Sequence, residues 1–296
     1  MKLLMSWRVV IVSSRAKIEL KLNYLVIRAE ETKRIFIEEI SVLIIENTGC
    51  AVTVSLLEAL WKKKIAIIFC DGKRLPGAQL LQLYGSYDTS TKILIQTHWS
   101  QEAKANVWRE IVREKIFNQS ACLRRIDAVV SDQVYSYALR VLPGDETNRE
   151  GHAAKVYFNT LFSDSFSRSE PCLTNSCLDY GYAILLSAFA RTVVANGYIT
   201  QLGIFHRNTF NEYNLACDLM EPFRPIVDHC VLGFSIDDYE LSKEQKLMLA
   251  SILTSDVSID ESRHTVLDAI SIYVKSVLEA LEANDVSRIK FYRYEF

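Results

Sequence analysis

The sequence is poor in the residues that punctuate or staple a chain: ten glycines, five prolines and seven cysteines among 296 residues. With 49% hydrophobic residues, that scarcity excludes a low-complexity chain and favours a well-packed, rather helical protein. No glycine-rich loop able to cradle phosphates is present, which disfavours ATP-driven chemistry. The cysteines (Cys50, Cys70, Cys122, Cys172, Cys177, Cys217 and Cys230) are odd in number and lack framework spacing, a pattern of reduced thiols in a cytoplasm. Cys172 and Cys177 have no second pair with which to complete a zinc site. No run reaches the roughly 18 apolar residues of a membrane span, so no membrane partner is expected. The opening MKLLMSWRVVIV imitates a signal peptide, but Arg8 interrupts it and no small-residue cleavage site follows. Strand alternation begins only after Trp7, so Met5 competes with Met1 as the natural start.

The net charge of −2 argues at first against nucleic acid, but its distribution matters more. Residues 231–285 carry eleven acids against four Lys/Arg, a local charge of −7, which leaves +5 on the rest. Basic residues recur at Lys62 to Lys64, Lys73, Arg74, Arg109, Arg113, Arg124 and Arg125. Solvated helical faces account for most such runs, so alone they are weak evidence for DNA.

Residues 1–72 read as a β-rich domain. Val9 to Val12 form an apolar run, residues 17–22 alternate strictly, Asn23 supplies a turn and residues 24–28 return. Residues 33–37 and 41–45 add strands. Residues 55–63 suit a helix with Leu56, Leu57 and Leu60 inward, and residues 65–69 suit a buried strand stopped by Asp71-Gly72. No catalytic cluster lies here, so docking or dimerisation is the expected role. Residues 73–91, with Pro76, Gly77 and Gly85, read as a linker. Residues 92–296 read as helical, with helices over 101–118, 121–142, 179–196, 241–253 and 264–283.

Three islands within residues 148–228 carry candidate chemistry: NREGHAAKVYF, LGIFHRN and NLACDLMEPFRPIVD. Each offers one hard-metal ligand among apolar neighbours, namely Glu150, His206 and Glu221. Two carboxylates and an imidazole suit a divalent cation acting on phosphate oxygens. Asn148 is placed to cap a helix whose first turn holds Glu150. Asn211, Asn214, Asp218 and Glu221 form a polar row, and Pro222 should bend or restart the helix beside Glu221. Arg207 and Arg224 neighbour the ligands and could grip phosphate oxygens. Each residue also has a plainer reading. Glu150 could complement a helix dipole, His206 could be a hydrogen-bonded turn histidine, and Asp218 and Glu221 could form a solvated face. Arg224 could be a salt-bridge partner, and His152 is read as structural.

MSWRVV (5–10), IIFCDGKRLP (67–76), NREGHAAKVYFNTLF (148–162), LDYGYAILLSAFAR (178–191) and DLMEPFRPIVD (218–228) together resemble the CRISPR-associated adaptation endonuclease/integrase family, nearest its type II members. The likeness extends to about residue 230; beyond it only helical character matches. It implies an α+β protein, with a small N-terminal β-strand domain followed by a larger all-α catalytic domain. It also implies that Glu150, His206 and Glu221 are both the catalytic and the metal-binding set, holding Mg²⁺ or Mn²⁺. The implied activity inserts short spacer DNA into the repeat array, a DNA 3′-hydroxyl attacking a phosphodiester. Implied partners are double-stranded DNA, a second copy of the chain, a small adaptation protein in a heterohexamer, and the type II RNA-guided effector nuclease. Two other classes stay open: a catalytically silent DNA-binding scaffold subunit, and an unrelated mononuclear enzyme. The second is open because His with two carboxylates also resembles a non-haem iron set.

Overall fold

The computed structural model describes residues 8–83, 86–234 and 240–296, which divide into two compact units at residues 83 and 84. The choice between Met1 and Met5, the MSW of MSWRVV and Gly85 lie outside the described residues.

The first unit contains β1 (Arg8–Val12), β2 (Lys17–Lys21), β3 (Tyr24–Arg28), β4 (Thr32–Phe36), β5 (Ile40–Ile45), β6 (Ala51–Val52), α1 (Val54–Lys62), β7 (Ala66–Cys70) and β8 (Pro76–Gln79). One sheet has the order β1-β5-β7-β8 and the other β4-β3-β2-β6. β5 pairs in parallel with both β1 and β7, and its ISVLII run is buried throughout, as a central parallel strand requires. The β2–β3 hairpin turns at Leu22 and Asn23, both with positive φ, which matches the right-handed twist of its strands. Leu56 and Leu60 of α1 pack into the core with Ile18, Leu25, Ile40 and Leu43.

The sheet runs further than the sequence suggested. β8, inside the expected linker, pairs antiparallel with β7. Pro76 and Gly77, read as breakers, lie on the edge strand, where a missing N–H removes no ladder bond.

The second unit contains α2 (Thr89–Thr97), α3 (Gln101–Leu123), α4 (Ala128–Ala138), α5 (Arg149–Leu161), α6 (Leu173–Ala195), α7 (Asn214–Met220), α8 (Arg224–Leu232), α9 (Lys243–Ser251), β9 (Asp256–Ile259), β10 (Ser262–Thr265) and α10 (Val266–Ala283). The expectation of an all-α unit needs correction, because β9 and β10 form an antiparallel hairpin. Val257 and Ile259 alternate with exposed Asp256 and Ser258, and Asp260 and Glu261 take positive φ at the turn. α6 is long and apolar enough by composition to cross a membrane, yet 72% of its most apolar window is buried within the protein. It is a core helix, and Gly181 lets it approach α8. A Cβ there would stand 2.4 Å from Val227 Cγ1. α3 crosses the same core and carries polar residues, Glu114, Lys115, Asn118 and Gln119, into its interior.

Candidate active site

Segments of the second unit bring Glu150 and Glu221 together on α3 and hold His206 on a loop clamped by Asp218. Glu150 sits in the first turn of α5. Asn148 caps that helix, its Oδ1 accepting from Gly151 N–H at 3.2 Å. Asp145 holds the turn more firmly, accepting from Arg149 N–H at 2.8 Å and Glu150 N–H at 3.0 Å. Free helix N–H groups attract carboxylates, so this double cap fixes the backbone that carries Glu150.

Glu221 opens a 3-10 turn, Glu221–Phe223, between α7 and α8. Proline cannot donate an N–H and forces the restart, as its position in the sequence suggested. The Pro222 carbonyl is then held from two sides. Tyr292 Oη donates to it at 2.8 Å and Asn118 Nδ2 at 3.0 Å. Tyr292 is fully buried and its ring lies 4.3 Å from that of Phe223.

The two carboxylates meet on one cation that the sequence reading missed. Lys115 Nζ, from α3, donates to Glu150 Oε1 at 2.6 Å and to Glu221 Oε2 at 2.5 Å. Arg224 Nε takes the other oxygen, Glu221 Oε1, at 2.8 Å, while its guanidinium lies 4.5 Å from the Tyr182 ring centroid. Burial alone would push the Glu221 carboxyl up; Arg224 and Lys115 together outweigh it and hold the group well below the usual carboxylate range. Burial pulls the Lys115 ammonium down, and Glu221 and Glu150 more than reverse that.

His206 lies on a loop clamped by Asp218 of α7. Asp218 has no exposed surface; its Oδ2 accepts from Ile204 N–H at 2.6 Å and Phe205 N–H at 2.9 Å. Its Oδ1 faces His206 Nδ1 at 2.5 Å and accepts from His206 N–H at 3.2 Å. With Nδ1 engaged, Nε2 is the nitrogen left for another partner. Trp108 stacks on Phe205 at 4.6 Å and meets the His206 ring edge-on. The Asp218 hydrogen bond raises the His206 pKa, burial opposes it, and the charges of Asp218, Glu221 and Glu150 add to the rise. Among the described residues, no three acid, histidine or cysteine side chains already stand close enough to hold an ion.

A cavity of about 520 Å³ opens beside His206, lined in part by Lys104, Arg207, Gln96 and Asn214. Gln96 and Asn214 are buried and hold the loop by its backbone: Gln96 Nε2 donates to the Ile199 and Leu202 carbonyls, and Asn214 Nδ2 to those of Gln201 and Asn208. Burial lowers the Lys104 pKa and nearby Arg207 lowers it further. Arg207 Nη2 donates to Gln101 Oε1 at 3.0 Å. His152 turns its Nδ1 to the Asn148 carbonyl, 2.7 Å away, and its ring lies 6.4 Å from that of Tyr137.

Asp228 is a further buried carboxyl, accepting from Tyr157 at 3.1 Å and also from Tyr182. Burial raises its pKa from an ordinary 3.8 to about 6 against the pull of the two tyrosines.

Two outcomes follow from this packing. A Cβ on Gly203 would stand 2.5 Å from the His206 carbonyl oxygen and 2.7 Å from Asp218 Oδ2. Gly203→Ala is expected to cost about 1–3 kcal/mol in denaturant unfolding and to shift the His206 imidazole resonances; an unchanged histidine spectrum would contradict the clamp. For Asp228, the folded protein binds the proton more tightly than the unfolded chain. Its stability contribution is full below about pH 4 and is lost as the pH rises through about 6. Asp228→Asn should flatten the stability slope in that window, measured by urea unfolding at several pH values.

The family profile described as CRISPR associated protein Cas1 matches residues 9–245. Over 305 residues the chain is 33% identical to the CRISPR-associated endonuclease Cas1 of Neisseria meningitidis serogroup C (strain 8013), covering 98% of this chain and 100% of that relative. Among solved structures, a casposase bound to integration product superposes with a TM-score of 0.76 at 16% identity, covering 94% of this chain and 92% of that one. A chain of a Cas6-RT-Cas1–Cas2 complex gives 0.70 at 17% identity, covering 96% of this chain and 36% of the longer one. These two show a shared fold of β-strands followed by helices. The profile match and the near-complete alignment at one-third identity go further, and by them the chain belongs to the Cas1 family of CRISPR-associated proteins.

Proposed function

We propose that this chain is a divalent-metal-dependent DNA integrase and endonuclease of CRISPR adaptation, of type II character, acting in the cytoplasm. The observation that carries the proposal is the convergence of Glu150 and Glu221 on one cation, beside a histidine whose ring is oriented by buried Asp218. The donor types, two carboxylates and an imidazole, suit a divalent ion, although among the described residues the three have still to draw together to hold one. A positive group, the Lys115 ammonium, already stands between the two carboxylates, and His206 has Nε2 to offer once Asp218 holds Nδ1. Glu150, Glu221 and His206 would hold Mg²⁺ or Mn²⁺. Such an ion supplies Lewis-acid polarisation of the phosphate and a lower pKa for the attacking hydroxyl.

The chain's own residues supply position and charge. Lys104 and Arg207, on the cavity beside His206, attract and orient the phosphodiester. Arg224 keeps one oxygen of Glu221 in place, which makes it first that carboxylate's counter-ion and second a phosphate contact. A DNA 3′-oxygen attacks phosphorus, a new P–O bond forms, and the target strand's 3′-oxygen leaves. One phosphodiester replaces another, so no nucleotide is consumed, in keeping with a sequence that lacks a glycine-rich phosphate loop.

Double-stranded DNA and a small Cas2-type adaptation protein are the proposed partners. The likeness in fold to a DNA-bound casposase and to a Cas1–Cas2 assembly supports both. The type II effector nuclease is a further partner in this reading. The first unit, which holds no residue of the proposed site, is assigned to homodimerisation, two dimers flanking a central dimer of the small protein.

His206→Ala is expected to lower 3′-end joining at least about a hundredfold while duplex affinity stays within about twofold, because affinity comes from many Lys/Arg–phosphate contacts. Binding and joining are measured on the same branched DNA with Mn²⁺, and joining at the unmodified rate would sink the assignment. For the assembly, light scattering at micromolar concentration should give the mass of a dimer, and a stable monomer would count against it.

A further inference from the structure

Lys115 falls outside the ligand set, yet it is the group that both carboxylates address. It rises from the middle of α3 and its side chain is only 11% exposed. We propose that Lys115 is a positioning residue, an internal cation that holds Glu150 and Glu221 together until a divalent ion takes its place. This inference rests on the metal-site reading above and adds a resident competitor to it.

Three observations support the exchange. The two glutamates come from separate segments, 35 and 106 residues from Lys115 along the chain, and each carboxylate lies within 2.6 Å of its nitrogen. Without positive charge between them, two desolvated carboxylates would repel and splay apart. Second, the two cations at the site differ in how firmly they are held. Arg224 donates to Glu221 and its guanidinium carbon lies over the Tyr182 ring, so its head is held from two sides. Lys115 ends in a compact ammonium on a four-carbon stem, a group that can withdraw by rotating its side chain. Glu221 therefore keeps one oxygen anchored when Lys115 departs. Third, the charges already balance, since two carboxylates face one ammonium and one guanidinium. A divalent ion added to that set leaves an excess of positive charge unless Lys115 leaves at least one carboxylate.

The test uses the full chain as wild type, Lys115→Met and Lys115→Met/Glu150→Gln. Melting is followed in EDTA and in rising Mn²⁺, and the Mn²⁺ dissociation constant is measured by electron paramagnetic resonance of the free ion. Lys115→Met should lower the melting temperature in EDTA by about 5 °C or more. It should also tighten Mn²⁺ binding at least about tenfold, and Mn²⁺ should restore the lost stability. Adding Glu150→Gln should restore melting in EDTA, because one carboxylate then needs no second cation. Where Lys115→Met does not fold without metal, the double variant carries the test, and a double variant no more stable than the single overturns the proposal. If the wild type binds Mn²⁺ and Lys115→Met binds it no more tightly, the competitor role is wrong while the metal site stands. If neither binds Mn²⁺, the metal site itself is wrong and the competitor role falls with it.

Discussion

Carboxylates taken into a protein interior repel one another unless positive charge enters with them, and the second unit is arranged around that constraint. Glu221 is 4% exposed and Asp218 not at all, so neither can rely on water. Each is met by a different kind of compensation. Glu221 receives two formal cations, Lys115 and Arg224, whereas Asp218 receives three backbone N–H groups and an imidazole. The first arrangement can exchange one positive group for another. The second cannot, because its donors are part of the chain. The site thus has an adjustable half at the glutamates and a fixed half at the histidine.

That division explains which parts of the site were legible in the sequence. The helix restart at Pro222 and the Asn148 cap depend on local backbone chemistry, and the structure reproduces both. Asp218 was equally visible, as part of the polar row, but was given no role beyond it, and its plainer reading was a solvated face. Polar residues at spacings of three and four look alike whether they meet water or a folded loop, and α7 is buried on nearly all sides. Lys115 was invisible for the same reason. In the run Arg113-Glu114-Lys115 it has the look of an exposed helix, and only packing against α5 and the 3-10 turn reveals it. Gly203 offered the one local sign of the clamp, a glycine three residues before the histidine, in contact with Asp218.

The fold was legible where periodicity was strong and uncertain where it was brief. The N-terminal strands, α1, α9 and α10 fall within two residues of their expected bounds. α4 starts seven residues after the helix expected at 121–142 and α6 six before the one expected at 179–196, because apolar residues at helical spacing do not mark the true helix ends. β8 was lost in a stretch rich in proline and glycine, and the β9–β10 hairpin in a polar stretch between helices. In both, four-residue strands give alternation too little length to register against turn-forming neighbours.

Tyr292 gives the site a relation to the order of synthesis. Its hydroxyl holds the Pro222 carbonyl from 70 residues further along the chain, and it is bonded to Asn118 across 174. Arg293 reaches back to Glu114 across 179. A nascent chain that has emerged as far as Glu221 already has every candidate ligand but not the support of the turn that presents one of them. The cleft cannot take its final shape vectorially, in step with elongation. It closes through contacts of high sequence separation, the class that is slowest to form. The turn that presents Glu221 is thus completed only when Tyr292 has joined it, and Arg293 ties the same segment to α3.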